Sequence, residues 1–204
     1  MKRRLFLCLL KCRVIEIKVI MREIQTNESN PNLYLLGFMG TGKSVLGKRV
    51  ASRLGYRYID SDHEIEKKCG MPTKEIFAQF GEEKFRQMER EFIESGHPNS
   101  NCVISCGGGL CCRDDMPELV KSKGISVVLF STPEEILERT SRNKSRPLLN
   151  VENPLERIKT LLNERTPFYM RSGVAIAADK NLKITEEHII RIYMSKKRSC
   201  KKIR

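Results

Sequence analysis

One stretch restricts the fold of this chain more than any other: "LYLLGFMGTGKSVLGKRV", from Leu33 to Val50. Bulky apolar residues run into Gly37-Phe-Met-Gly-Thr-Gly42-Lys43-Ser44, the spacing G-x-x-x-x-G-K-S, and a helix-like pattern follows. The glycines permit a sharp turn that aims backbone amides at phosphate oxygens. A helix opening near Lys43 adds its positive dipole end. Lys43 can reach the outer phosphates of a nucleotide, and the Ser44 hydroxyl can ligate Mg²⁺. A chance glycine turn would need neither a strand before it nor a helix after it, and this one has both. The stretch therefore predicts a phosphate cradle but names no acceptor.

From residue 33 onward, short β-like runs alternate with helical stretches. Strands are expected at "LYLLG", "YRYID", "NCVISC", "ISVVLF" and "GVAIAA". Helices are expected over about Lys43–Leu54, from the second strand to about Ser95, around Met116–Lys123, in "STPEEILERT", in "ENPLERIKTLLNERTPFYMRS" and in "TEEHIIRIY". Thr132 with Glu135 reads as a capping box, and Asn153 with Pro154 as a helix start. The strands are apolar on both faces, which predicts an α/β three-layer sandwich: a central five-stranded parallel sheet flanked by helices. "SRNKSRPLLN", residues 141–150, interrupts two helices with polar and basic residues and is the candidate lid.

In an open parallel sheet, ligands sit at the carboxyl ends of the strands. "YIDSD" places Asp60 and Asp62 there. One carboxylate can hold Mg²⁺ or its waters while the other accepts the proton of an attacking hydroxyl. Either can instead cap the next helix, and position alone leaves both readings open. "CVISCGGGL" carries Gly107-Gly108-Gly109 to the end of another strand, where exposed amides and the absence of side chains suit a ligand platform. Arg86 shares a helical face with Glu89 and Arg90. Arg139, Arg142, Lys144 and Arg146 surround the lid, where phosphoryl transfer needs cations that close over developing charge. Arg165 follows in "NERTPFY". Two converging guanidiniums would suit an acidic substrate, but spacing cannot bring them together.

The net charge of +13 invites a nucleic-acid reading until it is located. Residues 1–30 carry 7 Lys/Arg against 3 Asp/Glu, and residues 191–204 carry 7 with no acid, which leaves 31–190 at only +2. The basicity belongs to the ends, so a nucleic-acid-binding core is not expected. The 8 cysteines include no Cys-x-x-Cys pair, and the chain is long enough not to need staples; they read as reduced thiols of a cytoplasmic protein. "MKRRLFLCLLKC" mimics a secretory signal, but its apolar run is short and no small-residue cleavage site follows. Residues 1–30 are read as an N-terminal extension, disordered or from an overextended start, with a targeting segment as the alternative, ahead of a domain over 31–194 and a basic tail over 195–204.

The chain from about Leu33 to Tyr193 resembles shikimate kinase, a member of the nucleoside-monophosphate-kinase-like P-loop group. The resemblance is an ordered series: "GFMGTGKS", "YIDSD", "IFAQFGEEKFRQME", "VISCGGG", "RPLL" and "LNERTPFY". It implies a P-loop kinase fold with a lid, and transfer of the ATP γ-phosphoryl group to the 3-hydroxyl of shikimate with Mg²⁺. It further implies that Gly40, Thr41, Gly42, Lys43, Ser44 and Val45 wrap the ATP phosphates. Ser44 and Asp60 would serve the metal, and Asp62 would bind the substrate hydroxyls and act as base. Arg86, Gly108 and Arg165 would hold shikimate, with Glu89 orienting Arg86. Arg146 would be the lid arginine at the phosphates, and Arg139 would lie along the nucleotide. The partners implied are ATP and shikimate, handled by a monomer with no nucleic acid and no membrane. One departure stands out. The family closes its adenine site with an aspartate, a basic residue and a proline, whereas "AIAADKNLKITEEH" keeps Asp179, Lys180 and Lys183 without the proline. Two rivals remain: a kinase of another small sugar acid such as gluconate, and a non-catalytic nucleotide- or shikimate-binding regulator.

Overall fold

The computed structural model describes residues 30–113, 115–141 and 151–202, the last three without their side chains. The chain divides into residues 1–30 and residues 31–204, and the fold described is that of the second unit. Five strands form one sheet: β1 (Asn32–Gly37), β2 (Arg57–Asp60), β3 (Cys102–Ser105), β4 (Gly124–Phe130) and β5 (Val174–Ala177). Their order is β2-β3-β1-β4-β5, and every pairing is parallel. Seven helices are described: α1 (Lys43–Leu54), α2 (Ser61–Cys69), α3 (Thr73–Ser95), α4 (Met116–Lys123), α5 (Pro133–Ser141), α6 (Pro154–Ser172) and α7 (Leu182–Lys202). None of them is long and apolar enough to cross a membrane.

The three layers follow from the alternation of side chains along β1. Tyr34 and Leu36 join a cluster with Ile76, Phe85 and Phe92 of α3 and Ile158 and Tyr169 of α6. Leu33 and Leu35 point the other way, into a cluster with Leu46 and Val50 of α1 and Ile189 and Tyr193 of α7. Each such side chain, fully buried, stabilises the fold by about 1.5–3 kcal/mol. β1, β3 and most of β4 are buried on both faces, as their unbroken apolar runs predict. The edge strands are less buried: β2 has only Ile59 buried and β5 only Ile176, and each has a neighbour on one side only.

The local start and stop signals are realised. Thr132 and Glu135 make the reciprocal bonds of a capping box, at 3.2 and 3.3 Å. The Asn153 side chain accepts from the Glu156 amide at the head of α6. α3 is bent at Gly81, where φ is 77°, so "IFAQF" and "EKFRQME" lie on differently directed halves. The turn between β5 and α7 has no proline and is held by side-chain acceptors. The Asn181 amide donates to Asp179 Oδ1, and the Lys183 amide donates to Asn181 Oδ1, at 2.7 and 3.1 Å. α7 extends beyond the predicted "TEEHIIRIY" at both ends. The region read as an extension over 1–30 lies outside the described residues except Asn30, as does the lid except Ser141.

Candidate active site

Because β3 and β4 flank β1 with all strands parallel, the segments after β1, β2 and β3 open at the same end of the sheet. The first is the cradle. Gly42 precedes α1 with φ 92°, a backbone that side chains rarely adopt, and the helix starts with no side-chain cap and no acid in its first turn. No capping side chain or acid of the first turn competes there with an anionic ligand. Gly40 also has positive φ, and Thr41 is buried with its hydroxyl on the Phe38 carbonyl at 2.8 Å. Val45 is exposed at the helix start. Lys43 Nζ donates to the Gly37 and Phe38 carbonyls, both at 2.8 Å, which holds the ammonium against the loop that would receive phosphate. Arg139 of α5 reaches the same loop, donating to the Gly40 carbonyl at 3.3 Å and to Ser131 at 3.1 Å.

The end of β2 supplies the acidic pair. Asp60 Oδ2 accepts from Ser44 Oγ at 3.2 Å and from the Tyr58 hydroxyl at 3.1 Å. This joins the start of α1 to the end of β2 and sets a hydroxyl beside a carboxylate. Asp62 lies in the first turn of α2, and neither aspartate caps that helix through its side chain, although Asp60 occupies the cap position. Burial raises the Asp62 carboxyl above its ordinary value; Asp60 adds repulsion, and Lys43 opposes both.

The turn after β3 completes the site. The Gly107 amide donates to Ser61 Oγ at 2.8 Å, and Ser61 Oγ donates to Asp62 Oδ1 at 3.2 Å. A methyl group at position 107 would collide with Asp62 Oδ1 and press on Glu89 Oε1 at 3.1 Å, so only glycine admits this approach of loop to carboxylates. A β-carbon at Gly109 would stand 2.7 Å from the Arg86 guanidinium, and one at Gly108 would stand 3.8 Å from that of Arg165. Arg165 donates to the Gly108 carbonyl at 3.3 Å and lies over the Phe38 ring. Tyr169, one turn further along α6, donates to the same carbonyl. The two arginines that spacing left apart therefore converge on neighbouring residues of one turn.

Arg86 is held by its own helix. It donates to Glu82 Oε1 through Nε and one terminal nitrogen, at 3.2 and 2.8 Å, and to Glu89 Oε2 through the other at 2.7 Å. Among the described residues each terminal nitrogen is used once, so each keeps a hydrogen for a ligand carboxylate. Glu89 is only 2% exposed. Burial pushes its carboxyl up to about 7, against the pull of Arg86, with Asp62 raising it further. Arg90, on the same face by spacing, turns away to Asp115 and Glu94.

Asp60, Asp62, Lys43, Ser44, Arg86, Gly108, Arg139 and Arg165 are thus gathered at one end of the sheet. Arg146, with Arg142 and Lys144, lies outside the described residues. Sequence reasoning missed Ser61, Tyr58, Glu82 and Tyr169. Ser61 sits between two aspartates and Tyr169 ends "NERTPFY", but nothing in a linear pattern gives either a partner. The arrangement can hold a polyphosphate, set a carboxylate against a hydroxyl and grip a second anion.

Known proteins resemble the chain in sequence and in fold. The sequence profile of the shikimate kinase family matches residues 39–195. The shikimate kinase of Thermodesulfovibrio yellowstonii is 45% identical over 145 residues, 71% of this chain and 84% of that protein. The structure of shikimate kinase from Acinetobacter baumannii in complex with shikimate superposes with a TM-score of 0.78 at 37% identity, covering 83% of this chain and 96% of that one. A gluconokinase from Sinorhizobium meliloti, at 16% identity and a TM-score of 0.58 over 85% of this chain and 97% of its own, shares the fold alone. Matched along most of its length, from the phosphate cradle to the last helix, the chain belongs to the shikimate kinase family.

Proposed function

We propose that the chain transfers the γ-phosphoryl group of ATP to the 3-hydroxyl of shikimate, giving shikimate 3-phosphate. The observation that carries the reading is the convergence of Arg86, Arg165 and Asp62 on the Gly107–Gly109 turn, beside the cradle. A polyol with one carboxylate needs both a guanidinium clamp and a base, and the turn has both within reach.

The amides of Gly40 to Val45 take the ATP phosphates, and Lys43 exchanges the Gly37 and Phe38 carbonyls for phosphate oxygens. Ser44 Oγ and Asp60 Oδ2, 3.2 Å apart, are hard oxygen donors that fit Mg²⁺ and its waters. Bound there, the cation neutralises charge on the phosphates. Arg139 lies along the nucleotide, and Arg146 of the lid closes on the phosphates. Arg86 and Arg165 grip the shikimate carboxylate, and the Gly108 backbone borders the substrate. Asp62 binds the substrate hydroxyls and accepts the proton of the attacking one. Its raised pKa brings it nearer the pH at which a base works well, and Lys43 opposes the rise. Glu89 and Ser61 hold Arg86 and Asp62 in place.

A coupled assay of ADP release across shikimate, quinate and gluconate tests the reading. Turnover is expected with shikimate above the other two. No ADP with shikimate would remove the assignment, and a preference for gluconate would restore its rival.

A further inference from the structure

Tyr58 lies two residues before Asp60 on β2, and side chains two apart on a strand share a face. The Tyr58 ring packs against the cluster that holds Leu46 and Val50 of α1. A β-carbon at Gly47, in the turn of α1 after Ser44, would stand 2.7 Å from the edge of that ring. Lys48 Nζ lies over the same ring, 5.7 Å from its centroid. The ring belongs to β2, but α1 fixes its place.

A phenylalanine would make the same ring contacts. Tyrosine adds a hydroxyl, which donates to Asp60 Oδ2 at 3.1 Å. Ser44 Oγ donates to the same oxygen at 3.2 Å. The carboxylate is therefore held from two directions: by the first turn of α1, and by a rigid phenol braced on the next turn. With the Ser44 bond alone, a short aspartate side chain keeps rotamer freedom that it must lose when it binds a cation. Groups that hydrogen-bond a metal-ligating carboxylate orient it and raise its affinity for the metal.

We propose that Tyr58 is a positioning residue for the divalent cation: its hydroxyl fixes the Asp60 carboxylate beside Ser44 and thereby tightens Mg²⁺ binding in the nucleotide complex. It acts through Asp60. The role rests on the Mg²⁺ reading above and does not depend on the acceptor.

The test compares the full chain with Tyr58→Phe, which keeps the ring and removes the hydroxyl. Mn²⁺ is titrated into each chain held in excess over ADP, and bound Mn²⁺ is read by electron paramagnetic resonance. Mn²⁺ affinity is expected to fall about tenfold in the variant, with ADP affinity in EDTA unchanged. In turnover, the Mg²⁺ concentration for half-maximal rate is expected to rise by the same factor, with KM for shikimate unchanged. Equal Mn²⁺ affinity in the two chains would overturn the role. So would a parent chain that adds no Mn²⁺ affinity to that of free ADP. Weaker ADP binding in EDTA would place the hydroxyl in the packing of α1 instead, and would also overturn it. A chain that never turns over shikimate, but whose variant binds Mn²⁺ more weakly, would remove the acceptor assignment and leave this role standing.

Discussion

The Ser61 hydroxyl receives the Gly107 amide at 2.8 Å and passes its own hydrogen to Asp62 at 3.2 Å, which ties the turn after β3 to the carboxylate after β2. Ser61 is fully buried, and Gly107 is 46 positions from it along the chain. Replacing it by alanine leaves the Gly107 amide without its acceptor and Asp62 without a donor. Ser61→Ala is expected to cost about 1–3 kcal/mol of stability and to lower kcat while KM for ATP holds. Steady-state kinetics beside a denaturant titration separates the two; an unchanged kcat would end the positioning role.

Asp62→Asn keeps the shape of the site and removes the base. A fall in kcat of about 10²–10⁴ is expected, with ATP binding nearly intact. In the parent chain, kcat/KM should fall on acidification at a pH above the ordinary carboxylate range, because burial and Asp60 raise Asp62. A pH–rate profile whose acid limb lies at the ordinary value would argue against Asp62.

Arg86→Lys tests the clamp by geometry, since both residues carry one positive charge. An ammonium cannot bridge Glu82 and Glu89 and still offer two parallel donors to a carboxylate. KM for shikimate is expected to rise about 10- to 100-fold, with KM for ATP little changed. Equal weakening of both substrates would count against a carboxylate clamp.

Glu89 gives stability a pH dependence whose sign can be worked out. Its carboxyl stands at about 7 in the folded chain against an ordinary value of 4.5. The folded state therefore holds the proton more tightly than the unfolded one between those values. The contribution is full below about 4.5 and is lost as pH rises through 7, a change of about 3 kcal/mol at most. Glutamine does not titrate, so the stability of the parent relative to Glu89→Gln should decline from pH 4.5 to 7. A difference that stays flat, or grows with pH, would contradict this.

Short-range features were legible in the sequence because the chain itself brings their parts together. The glycine spacing before Lys43 dictates the turn, the apolar runs dictate buried strands, and Thr132 with Glu135 and Asn153 with Glu156 dictate helix starts within four residues of chain. The order of the motifs implied the family, and the family relationship supported the fold and the activity. Arg86 lies beyond that reach: most arginines on such a helix are solvated, and only the family resemblance assigns it a ligand.

The tertiary structure decided what meets what. Arg86 comes from α3 and Arg165 from α6, and parallel crossovers on the two sides of β1 bring both to the Gly107–Gly109 turn. The same packing buries Glu89 beside Asp62 and Arg86, which sets its proton affinity, and puts Tyr169 on the Gly108 carbonyl 61 residues away. Hydrogen bonds and desolvation depend on distances of a few ångströms in space, and spacing along a chain contains that information only where a helix or turn converts one into the other.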